Sequence, residues 1–89
     1  MITPKQKTYI EKIIKEIQHR QNLNLISYNE KTFKTILNTL QEIIDTDDGN
    51  CAYKIIGMFE DARRAASHYE AYNKVLNLLL QDREKIINS

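Results

Sequence analysis

The sequence predicts an all-α protein of three helices, the third of them long. Three observations carry this. The only proline is Pro4 and the only glycines are Gly49 and Gly57, so the chain has few helix breakers. Apolar residues recur at three and four positions over most of its length. No stretch alternates long enough to make a sheet. At 89 residues the chain makes a single domain, 1–89.

The first helix starts at Thr3-Pro4-Lys5-Gln6. Thr3 suits the cap position, Pro4 the first helical position, and Gln6 can reach back to the cap's N–H. Ile10, Ile13, Ile14 and Ile17 then make one apolar face, which fades near Arg20–Asn22. Residues 21–27 read as a connector. Ser27-x-x-Glu30 has the form of a second capping box and is expected to open the second helix. Phe33, Ile36, Leu37, Leu40, Ile43 and Ile44 share a face of that helix. Asp45-Thr46-Asp47-Asp48-Gly49-Asn50 ends it. Gly49 and Asn50 are the expected left-handed residues there, and the carboxylates suit the N-terminus of the next helix.

From Asn50 onward the chain reads as one helix to about Ile87. Ala52, Phe59, Ala66, Asn73, Leu80 and Ile87 repeat every seven residues, and Ile55, Ala62, Tyr69, Leu76 and Arg83 form the second position of the same seam. Such a rod is about 54 Å long and too long for this chain to surround. It therefore asks for a partner surface. Ala62, Ala66, Asn73 and Leu76 are the expected seam of a homodimer, with Asn73 fixing register. A break near Ser67 is the alternative, and gives a four-helix bundle.

Chemistry is sparse. His19 and His68 have no metal-binding spacing, and there is no glycine-rich phosphate loop. Ser67 and His68 are adjacent on a helix and point about 100° apart, so they make no nucleophile and base. Asp45-x-Asp47-Asp48-Gly49 resembles a calcium loop, but its glycine comes one position early and Ile56 stands where a glutamate is needed. The single Cys51 cannot form an internal disulfide and reads as a small buried hydrophobe. No catalysis, cofactor or metal is expected.

The segment Glu60–Tyr72 points to binding. Ala62, Ala65, Ala66 and Ala71 thin the helix and allow another backbone to approach. Arg63, Arg64, Tyr69 and Tyr72 are residue types enriched at binding hot spots and are the expected partner anchors. The competing reading packs the tyrosines inward and pairs the arginines with Glu60 or Glu70. The net charge of +1 gives no overall basic field. Lys5, Lys12 and His19 do follow one stripe of the first helix, flanked by Lys7 and Lys15, so nucleic acid is a further candidate partner. The segment MITPKQK lacks the apolar stretch of a signal peptide and no run is long enough to span a membrane, so a reducing cytoplasmic setting is expected.

The opening Ile2-Thr3-Pro4-Lys5-Gln6-Lys7, followed by Tyr9-Ile10-x-x-Ile13-Ile14, resembles the start of small phage and prophage proteins of low-GC bacteria. The resemblance covers about a sixth of the chain. It implies an accessory protein that binds and blocks or redirects a host protein, including host defence nucleases. It assigns no functional residue.

Overall fold

The computed structural model describes residues 1–89, and these form five helices and no strand. They are α1 (Pro4–Asn22), α2 (Glu30–Asp45), α3 (Gly49–Arg64), α4 (His68–Leu79) and α5 (Arg83–Asn88). The predicted all-α class holds. The predicted three-helix arrangement does not, because the long third helix is broken twice. The longest dimension is 34 Å, which leaves no room for a rod of about 54 Å.

The first break has a cause in the packing. On α3 the buried residues are Cys51, Ala52, Ile55, Phe59 and Ala62. A straight helix in that phase buries Ala66, Tyr69 and Asn73 next. Instead α4 buries Tyr72, Val75 and Leu79, one residue out of phase, which is about 100° of helix rotation, and of the seam positions on α4 only Leu76 is buried. One rod cannot turn both faces to one core. The chain bends at Ala65-Ala66-Ser67 and α4 folds back on α3. The Tyr72 ring then meets the Phe59 ring edge-on, with centroids 5.2 Å apart. The break near Ser67 given as the alternative is observed, but the separate α5 makes five helices rather than a four-helix bundle.

The second break lies at Leu80-Gln81-Asp82. The Asp82 carboxylate accepts from the Lys85 N–H and caps α5, whose Ile86 is fully buried. Arg83 is not a seam residue. Its guanidinium donates to Thr46 Oγ1 at 2.7 Å and to Glu42 Oε1 at 2.8 Å, and lies 3.5 Å from Asp48 Oδ2. This clamp ties α5 to the turn between α2 and α3.

Elsewhere the local reading is partly corrected. The Thr3–Gln6 capping box forms in both directions, at 3.1 and 3.0 Å. The second helix is capped by Asn29, whose side chain accepts from the Thr32 N–H at 2.8 Å, and Ser27-x-x-Glu30 makes no box. In the acidic turn the left-handed residue is Asp47, with φ 55°, rather than Gly49 or Asn50. Gly49 is required for space: a Cβ there would lie 2.7 Å from the Met1 backbone. Asp47 also accepts the Ile2 N–H at 2.7 Å, which fastens the N-terminus to this turn. The core runs from Ile10, Ile13 and Ile17 through Ile36, Leu40 and Ile43 to the buried faces of α3 and α4.

Candidate protein-docking surface

The four predicted anchors divide into two pairs. Tyr72 is a core residue, 1 % exposed, with its ring against Phe59 and His68. The Arg20 guanidinium covers the other side of this ring, 4.1 Å from its centroid. Burial and the nearby Glu16 push the Tyr72 hydroxyl up to about 12, against the pull of Arg20 and Arg63. The hydroxyl oxygen is buried and has no hydrogen-bond partner of good geometry.

Arg63 is exposed but engaged within the chain. One of its nitrogens donates to the Tyr9 hydroxyl at 2.6 Å and the other pairs with Glu16 Oε2. Its ion-pair partner comes from α1, not from Glu60 or Glu70 at helical spacing. Glu16 Oε1 accepts from Arg20 at 3.3 Å, so a single carboxylate holds two arginines and joins α1 to α3.

Arg64 and Tyr69 remain outside. Both are exposed, Tyr69 to 59 %. They do not share a face: Arg64 follows Tyr53 and Gly57 along the outer side of α3, whereas Tyr69 lies on α4 in line with Asn73 and Asn77. The expected dimer seam is dispersed as well. Ala62 and Leu76 are buried in the core, Ala66 is exposed in the bend, and Asn73 is half-buried. A seam along one continuous helix does not exist in this fold.

The bend creates a different surface. A groove of about 340 Å³ runs between α3 and α4, lined by Met58, Ala62 and Ala65 on one side and Ala71, Val75 and Leu78 on the other. Asp61 and Lys74 form its outer lips. The alanines leave the groove open. Met58 and Asp61 also line a second depression, which continues to Tyr53 and Gly57. Tyr53 is 76 % exposed, and a Cβ at Gly57 would meet nothing within 4 Å.

Ala62, Ala65 and Ala71 stand out in the sequence as small residues, but their pairing across a groove needs the bend. Lys74 and Leu78 carry a fainter signal. With Ala71 and Val75 they space at three and four positions, a stripe offset from the seven-residue seam.

Other candidate chemistry is absorbed by the fold. Asp48 caps α3 by accepting the Cys51 N–H at 3.1 Å, and Asp47 holds the N-terminus. Cys51 is fully buried, and burial pushes its thiol up to about 11. Lys5, Lys7, Lys12, Lys15 and His19 are all exposed on α1, with the exposed Glu11 among them. No helix is long and apolar enough to cross a membrane.

No protein-family model, curated protein or solved structure matches this chain.

Proposed function

We propose that this chain is a non-enzymatic protein-binding module, an inhibitor or regulator that works by occupying another protein. The apolar groove between α3 and α4 carries the reading. A chain of this size has little apolar surface to spare, yet it leaves Met58, Ala65, Ala71 and Leu78 only partly covered along one line. Its lining of small and apolar side chains has the chemistry that receives one helix face. Tyr53 stands in the adjoining depression on α3 and extends this face. Arg63 and Tyr72 act from within, by fixing α3 and α4 in the geometry that shapes the groove.

Affinity capture with the unaltered chain and with the double substitution Ala65→Glu and Ala71→Glu tests this. The expected result is a protein retained by the first and lost with the second, while both chains keep the same helix content. An identical set of captured proteins from both removes the groove as the docking face.

A further inference from the structure

We infer that the α3–α4 groove receives the same groove of a second copy of this chain, the two being related by a twofold axis that runs along the groove. This rests on the reading of the groove as a docking face and adds its occupant. The lips carry opposite charges, Asp61 on α3 and Lys74 on α4. Both are exposed, and neither takes part in an ion pair of the folded chain, whose pairs use Glu16, Glu30, Glu42 and Asp48 with Arg20, Lys34, Arg63 and Arg83.

Rotation by half a turn about an axis along the groove brings each lip over the opposite one. Asp61 of one copy then faces Lys74 of the other, and symmetry repeats the pairing. An axis across the groove sets Asp61 over Asp61 and Lys74 over Lys74, which repels at both lips. The charges therefore select one of the two arrangements. The same axis keeps each level along the groove, so Met58 meets Leu78 of the other copy at the open end, and the small Ala65 and Ala71 let the bend ends approach. The surface is self-complementary in charge.

Such a contact differs from the coiled coil expected from the sequence. It pairs two bent hairpins rather than two rods, and it buries neither Tyr69 nor Asn73 as a register-setting seam.

Sedimentation velocity over a dilution series at low salt tests the inference with four chains. They are the unaltered protein, Asp61→Lys, Lys74→Asp, and the two substitutions combined. Both positions are exposed, so far-UV circular dichroism should be the same for all four. The unaltered chain is expected to pass from monomer to dimer with concentration. Each single substitution sets like charges at both lips and should raise the dissociation constant about tenfold. The combined chain exchanges the lips and should return to within about threefold of the unaltered value. A monomer at every concentration overturns the inference, as does a dimer whose constant ignores the single substitutions or a combined chain weaker than either. None of these results touches the broader docking reading, which falls only if Ala65→Glu with Ala71→Glu leaves heterologous capture unchanged.

Discussion

Glu16 and Arg63 stand 47 positions apart and form the ion pair that locks α1 to α3. The same carboxylate also holds Arg20, and Arg20 in turn lies over the Tyr72 ring. One acidic side chain thereby links three helices. The pair is partly open to solvent, with Arg63 at 37 % and Glu16 at 28 % side-chain exposure, so its own contribution is modest. Its loss should still cost more than that of an isolated surface pair, because two arginines lose their partner together. Glu16→Gln is expected to lower stability by about 1 kcal/mol in urea denaturation. It should also weaken whatever binds the groove, since α3 is positioned through this contact.

Tyr72 offers a sharper contrast. Its ring fills the core between Phe59 and Arg20, while its hydroxyl makes no hydrogen bond of good geometry. Tyr72→Phe keeps the ring and removes an unsatisfied polar group, so it should leave stability within about 0.5 kcal/mol or raise it. Tyr72→Ala should cost about 3–5 kcal/mol through the cavity it leaves. Equal losses from both substitutions in thermal or urea melts would assign the hydroxyl a bond that the structure lacks.

Only part of this was legible in the sequence. The cap at Thr3 and the apolar faces of α1 and α2 follow from local spacing, and they form as expected. The break at Ala65-Ala66-Ser67 was legible only as the alternative to a continuous helix, because no glycine or proline marks it. Alanine favours helix, and tertiary packing of the out-of-phase α4 face overrides that preference. Arg63 shows the second limit. Its types of partner were foreseeable, but Glu16 and Tyr9 come from another helix, and helical spacing within α3 could not reveal them. Asp61 and Lys74 became the lips of a groove only once α4 folded back.

The caps predict a difference between two helix starts. Asn29 accepts the Thr32 N–H, whereas Ser67 makes no side-chain bond at the start of α4. Asn29→Ala should cost about 1 kcal/mol and Ser67→Ala only a few tenths. Chemical denaturation of the two single variants under one set of conditions checks this. A comparable loss at Ser67 would mean that its hydroxyl caps α4 in solution.

Alkaline pH should unfold the protein in a defined window. The Cys51 thiol is raised from 9.0 to about 11 and the Tyr72 hydroxyl from 10.0 to about 12, in both cases chiefly by burial. Folding therefore favours the neutral form of each. Their contribution is intact below the unfolded values and is lost as pH rises through the folded ones. Stability followed by circular dichroism should hold to about pH 9 and fall between about pH 9 and pH 12. Tyr72→Phe with Cys51→Ala should flatten that fall. An unchanged slope would place the alkaline transition in other groups.

The proposed docking surface exists only if α3 and α4 are a bent pair rather than one rod. The most direct measurement is the nuclear Overhauser effect between the rings of Phe59 and Tyr72 in the free protein. The bend places their centroids 5.2 Å apart, so cross-peaks between the two rings are expected. A continuous helix separates the same residues by about 20 Å. Absence of these cross-peaks, with unbroken helical connectivities through Ala65, Ala66 and Ser67, would remove the groove and the docking account with it.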